Sequence, residues 1–353
     1  LPGTDPKRYG PSLARVIEGF NEYGFTSLKC AEGTRDWIAG AGKLDREGGL
    51  NARLFPAWEW RSHYTPHTEA EQDSLPLEWK KFVTPRVIPN HVKLFYDGAP
   101  DSYTALLIED YEGRPGFKAQ SNLPKEEFLA KIADFNSRGI GVLVHVLGDG
   151  GARDVVDIFA DVRKRNGNNG VPLHLSHAWM ARSEDLVRLS KIEGTYLDFS
   201  PALCYPAPEI AGSMQPPIGE RRYQKWYNVR SALETGMPVG FGSDWASSLI
   251  PEPNGFHQMQ SWIMRRDPAK PEAATLNIDQ KITLEQAIHG FTLGGAEVLG
   301  FGWEKKVGSI EEGKLADFIV LAKNLFDVPV EHLYQTKVMQ TIVDGKVVFD
   351  RAE

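Results

Sequence analysis

Gly141-Val142-Leu143-Val144-His145 is a short apolar run that stops on a histidine, and Gly148-Asp149 follows closely. Its length and composition suit a strand buried on both faces. Six more runs of this kind occur: Phe25 to Cys30, Ala52 to Trp58, Val92 to Tyr96, Val171 to Ser176, Gly194 to Phe199 and Pro238 to Phe241. Before and between them lie segments of helical period, Ser12 to Tyr23, Lys125 to Ser137, Ala152 to Arg165, Ser183 to Ile192 and Val229 to Thr235. This alternation predicts a parallel α/β sheet. The first and last strands begin 213 residues apart. Six steps then average about 36 residues, against about 31 per unit of a (β/α)8 barrel. Seven strands leave such a barrel one short. A doubly wound open sheet is the alternative, but the Gly-rich phosphate turn after its first strand is missing: Ala31-Glu32-Gly33-Thr34-Arg35 holds one glycine. The barrel is the preferred reading.

Long excursions at Glu59 to Pro89 and Gly98 to Pro124 follow the second and third strands, where substrate selectivity usually resides. Beyond residue 280 the texture changes. Leu284 to Leu299 has a helical pattern, and Val307 to Leu321 and Val338 to Phe349 read as strands with turns at Glu312-Gly313 and Asp344-Gly345. The expected division is a barrel over residues 1–300 and a small β element over 301–353. Of 353 residues, 41% are hydrophobic and 25% charged, which excludes disordered, collagen-like and coiled-coil chains. A net charge of −7 speaks against nucleic acid or an anionic membrane as partner. No apolar run approaches the roughly 20 residues of a membrane span. Two cysteines, Cys30 and Cys204, cannot build a disulfide framework. The expected location is cytoplasmic.

The chemistry-bearing residues fall at the carboxyl ends of the expected strands. Lys93 interrupts an apolar strand, His145 and His177 end two others, and Asp244 follows Gly242-Ser243 with Trp245 behind it. Their separations of 52, 32 and 67 residues correspond to one unit with an insertion, one unit and two units. The four would gather at one barrel mouth. Imidazoles suit zinc, and a carboxylate both binds metal and relays protons. A desolvated lysine can lose its proton and add carbon dioxide, giving a carbamate ligand. Taken singly, each has a blander reading: Lys93 paired with Asp97 or Asp149, His145 hydrogen-bonded in a core, Asp244 as a helix cap. His174 precedes His177 by three, so on a regular strand the two face opposite ways, and His177 is the better ligand. His63 and His67 read as loop residues, Cys204 as inert, and His257 and His289 as structural. Arg221-Arg222 reads as a solvated loop or as a clamp for a substrate carboxylate.

These pieces resemble the amidohydrolase superfamily, in the branch of YtcJ-like and N-substituted formamide deformylase-like proteins. The likeness rests on Val92-Lys93 through Asp97-Gly98, Val144-His145 through Gly148-Asp149, Ser176-His177-Ala178 and Gly242-Ser243-Asp244-Trp245. The tail adds Ile282-Thr283-Leu284-Glu285-Gln286-Ala287, Gly308 through Asp317 and Thr341 through Lys346. The resemblance implies a metal-dependent (β/α)8 barrel with a β-sandwich shared between the chain ends. It implies Lys93 as carboxylated bridging ligand, His145 and His177 as imidazole ligands, and Asp244 as ligand and base. Trp245 and Arg221 would contact substrate. One departure stands out: the family's first strand ends in His-x-His, and this sequence contains none. The first expected strand here matches the family's second, so the first strand and part of the sandwich are expected to be missing.

The functional expectation is a hydrolase that cleaves non-peptide C–N bonds of a small amide, N-acyl or N-formyl, through water activated by a divalent metal, zinc above others. Loss of the first strand would impair it. The alternative is a non-catalytic remnant that binds a small ligand or a single ion. A gap in the barrel would need cover from the tail, a swapped segment or a second copy.

Overall fold

The computed structural model describes residues 9–61, 67–200, 207–246, 252–270 and 272–351. His63 and Cys204 lie outside them. One sheet holds seven strands: β1 (Ser27–Gly33), β2 (Arg53–Glu59), β3 (His91–Phe95), β4 (Gly141–Val146), β5 (Leu173–His177), β6 (Thr195–Phe199) and β7 (Val239–Phe241). They pair in parallel in the order β1 to β7. That order never reverses, so the doubly wound alternative is excluded. The sheet curls into a barrel that, among the described residues, stays open between β1 and β7. A second, antiparallel sheet holds β8 (Phe318–Leu321), β9 (Val338–Val343) and β10 (Lys346–Asp350).

Burial explains the central strands. β4 reads almost wholly apolar because helices cover one face and the barrel interior the other. The helix Lys125–Ser137 turns Phe128, Ile132 and Phe135 inward, and Asp149–Asn166 buries Val155, Val156, Phe159 and Val162. The latter starts on Asp149 and ends on Arg163, Lys164 and Arg165, which complements the helix dipole.

Strand register stacks the interior side chains in layers. Phe95, His145, Ser176, Asp198 and Gly240 are successive partners across β3 to β7. One layer deeper run Lys93, Leu143, His174 and Tyr196. Below that His91 pairs with Gly141, whose missing side chain leaves the space that the His91 ring fills.

Three differences from the sequence reading have simple causes. The helix Arg35–Arg46 was not expected; it starts on the Thr34 cap, whose side chain accepts from Trp37 N–H, and buries Ile38, Ala41 and Gly42. Leu284 to Leu299 is two helices, Leu284–Phe291 and Leu293–Glu297, broken at Thr292. The excursion after β2 contains the capped helix Glu69–Ser74 and a 3-10 turn, Leu75–Phe82. Among the described residues no helix is long and apolar enough to cross a membrane.

Buried charge ties the small sheet to the barrel. Arg53 at the start of β2 donates to Asp317 (2.9 Å) and to Asp344, while Arg86 also donates to Asp344 (2.8 Å). Arg53 and Asp317 are almost wholly buried, at 3% and 2% side-chain exposure. The two acids of the tail motifs thus close on one guanidinium. Replacing Arg53 by Met strands Asp317 without a counter-charge, and urea unfolding should show a loss of about 3–5 kcal/mol. A loss below about 1 kcal/mol would show that the cluster does not hold the two parts together.

Candidate active site at the barrel mouth

The carboxyl ends of the strands open into a cavity of about 1820 Å³ that reaches the gap between β1 and β7. Lys93, His145, His177, Asp244 and Trp245 all line it. His145 and His177 bring their rings to 4.8 Å between centroids, tilted by 67°. Lys93 is 2% exposed and sets its amine 5.1 Å from the centre of the Phe95 ring, which in turn lies 5.0 Å from His145.

Two of these residues stand on unusual backbone. His177 has φ +68° and Asp244 has φ +51°, left-handed conformations that non-glycine residues adopt at a cost. The twist at His177 corrects the strand-parity expectation. His174 points inward as a regular β5 residue, its Nδ1 3.5 Å from the Lys29 amine. His177, three residues on, also points inward because the chain turns at the strand's end.

Burial sets the protonation of the group. It pushes His145 well below the usual imidazole range, and His177 and Lys93 add to this. It lowers His177 likewise, with Lys93 in support and Asp244 and Asp198 opposing. His177 Nδ1 lies 3.2 Å from Ser200 Oγ. The Lys93 ammonium is also disfavoured by burial, against the pull of Asp198, Asp244 and Glu32. Two neutral imidazoles and a lysine disposed to lose its proton therefore share one pocket.

Behind them lies a pair that the sequence reading missed. Lys29 on β1 reaches across the interior to Asp198 on β6 (3.0 Å), and Ser176 Oγ donates to the same carboxylate (3.1 Å). Burial alone would raise the Asp198 carboxyl; Lys29 and His177 outweigh it and hold it below the ordinary range. Asp97, considered as a partner for Lys93, instead accepts backbone N–H bonds from Leu106, Leu147 and Gly148 and fixes two loops. Arg221 is not brought to the cavity. Its side chain is largely exposed and pairs with Glu109 on the outer loops. Trp245 is 38% exposed and stands edge-on to Phe20 at 5.6 Å.

A metal ion is the group this pocket suggests. Two imidazoles on one tetrahedral ion, at nitrogen distances of about 2.0–2.1 Å, have ring centres about 5 Å apart. The His145–His177 pair fits. The wider set is less complete: among the described residues no three His, Cys, Asp or Glu side chains converge on one ion position.

A model of the amidohydrolase family matches residues 2–349. The chain belongs to the amidohydrolase family. Within it, YtcJ of Bacillus subtilis is 25% identical over 295 residues, covering 84% of this chain and 53% of that protein. The N-substituted formamide deformylase of Arthrobacter pascens is 29% identical over 265 residues, covering 74% and 45%. The chain thus spans about half the length of the curated relatives it matches. Among solved structures, a metal-dependent hydrolase from Pyrococcus horikoshii superimposes with a TM-score of 0.76 at 21% identity, over 93% of this chain and 62% of that one. The fold and the family branch expected from the sequence are both found.

The Lys29–Asp198 pair makes a stability prediction for this amidohydrolase. Lys29→Met removes the closest cation from the partly buried Asp198, leaving Ser176 as its hydrogen-bond donor and Lys93 and His177 as more distant charges, and should cost about 1–3 kcal/mol in urea unfolding. The pH dependence follows from the sign of the shift. A carboxyl held low in the folded state stabilises above the ordinary carboxylate range, and this is lost as pH falls through its folded value. Lys29→Met should flatten that acid limb; an unchanged limb would show that Lys29 does not set it.

Proposed function

We propose that this amidohydrolase cleaves the C–N bond of a small non-peptide amide, with an N-acyl or N-formyl group as the acyl part. The observation that carries the reading is the pair of neutral, buried imidazoles 4.8 Å apart beside Lys93. His145 and His177 would hold a divalent ion, zinc above others, and Lys93 would join them once its amine has lost a proton and added carbon dioxide as a carbamate. Such an ion supplies Lewis acidity, polarising a carbonyl and lowering the pKa of water. Asp244 would accept the proton of the attacking water, and Phe95 and Trp245 line the pocket around it. The deformylase relative makes substituted formamides the first substrates to try.

A second reading is favoured by one observation. No closed set of three His, Cys, Asp or Glu ligands exists among the described residues, which suits a chain that binds one ion or small ligand without efficient turnover. The two are separated by measuring zinc content and hydrolysis of an N-substituted formamide panel together. The expectation is about one zinc per chain, lost in His145→Ala and in His177→Ala, with turnover that stops on chelation and returns with zinc. Turnover should stay below the ordinary enzymatic range of about 1–10³ per second. Zinc binding without any turnover supports the binding reading. Turnover that survives chelation and both histidine replacements overturns the metal-dependent one.

A further inference from the structure

The pairing of β1 with β2 carries one irregularity. Ser27, Leu28, Lys29 and Cys30 face Arg53, Leu54, Phe55 and Pro56 one for one, but the next partners are Gly33 and Trp58. Three steps along β1 answer two along β2, so β1 holds one extra residue, a bulge at Ala31-Glu32. Side-chain parity changes with it. Lys29 points into the barrel, where it meets Asp198. In an unbroken strand Ala31 and Gly33 would share that face, and Glu32 would point outward. Instead, a Cβ built on Gly33 would lie 3.1 Å from Ile38 of the outer helix Arg35–Arg46. Gly33 faces out, and Glu32 faces in.

Glu32 consequently lines the same cavity as Lys93, Asp244 and Trp245. It arrives from β1, whereas Asp244 follows β7, so the two carboxylates come from the strands that border the gap. The electrostatics agree with this placement: burial raises the Glu32 carboxyl above its ordinary range, Lys93 opposes that and Asp244 adds to it. Glu32 nonetheless remains open to solvent at the mouth, where an incoming molecule can reach it.

We propose that Glu32 is a substrate-contacting residue, a carboxylate that the bulge turns inward to accept a hydrogen bond from the N–H of the scissile amide. The inference rests on the amide-hydrolase reading above. A carboxylate offers only acceptors, so it selects substrates that bring a donor. An amide whose nitrogen carries hydrogen recovers, on Glu32, the bond it loses to water on entering. An N,N-disubstituted amide leaves the carboxylate without that bond, a difference that sites of this type turn into discrimination. The class selected is therefore primary and secondary amides over tertiary ones.

The test uses the zinc-loaded full chain with N-butylformamide and N-butyl-N-methylformamide. The ratio of kcat/KM for the two is compared in wild type, Glu32→Ala and Glu32→Gln, because a ratio within one variant does not depend on the fraction folded. Wild type should favour the N–H substrate by an additional factor of about ten or more relative to Glu32→Ala. Glu32→Gln, which keeps a carbonyl acceptor, should fall between them. Zinc content measured alongside should be equal in all three. A ratio unchanged in Glu32→Ala, or a drop matched by loss of zinc, overturns the proposal. Failure of wild type to turn over either formamide removes the hydrolase reading, and this inference with it.

Discussion

Side-chain alternation along parallel strands in fixed register is the constraint on which the site depends. With a period of two, one slipped residue sends every inward group outward. Phe95, His145, Ser176 and Asp198 share a layer only because β3 to β6 keep step. Of the candidate site residues, Lys93 and His145 stand on these regular strands, and three others sit where that regularity is broken. His177 and Asp244 occupy left-handed backbone at strand ends, and Glu32 follows a bulge. Regular pairing builds the wall, and local departures aim the side chains.

An open barrel needs something other than closure to keep its curvature. Among the described residues β1 is an edge of the sheet, and backbone bonds pair it with β2 alone. The Lys29–Asp198 pair crosses the interior and ties this edge to β6 on the far wall. Its charge also bears on the candidate site, since Asp198 acts on both Lys93 and His177. The same contact therefore links sheet shape to the electrostatics of the mouth. The Arg53 cluster does comparable work outside, fastening the small sheet beside β2.

Much of this was legible in the sequence because it depends on local pattern. All seven barrel strands, and the helix Lys125–Ser137 to its end residues, follow from apolar period and from turn residues. Lys93, His145, His177 and Asp244 stand out by their place at strand ends and their spacing, and the structure gathers them along one cavity. What escaped depends on information that spacing does not contain. Lys29 and Asp198 are 169 residues apart and meet only when the sheet curls. Glu32 looks outward until the bulge is known, and His174 looked outward until the turn at His177 was seen. For Arg221 the sequence leaves a solvated loop and a carboxylate clamp both open, because its pairing with Glu109 joins residues 112 apart.

The central claim is that His145 and His177 form a metal-binding pair with Lys93 beside them. Anomalous diffraction at the zinc edge, from crystals of the zinc-loaded chain, tests it most directly. The expected result is one strong peak between the two imidazoles, at about 2.0–2.1 Å from a nitrogen of each, with the Lys93 side chain turned toward it. Zinc bound in stoichiometric amount but located elsewhere, with no peak at this pair, would contradict it.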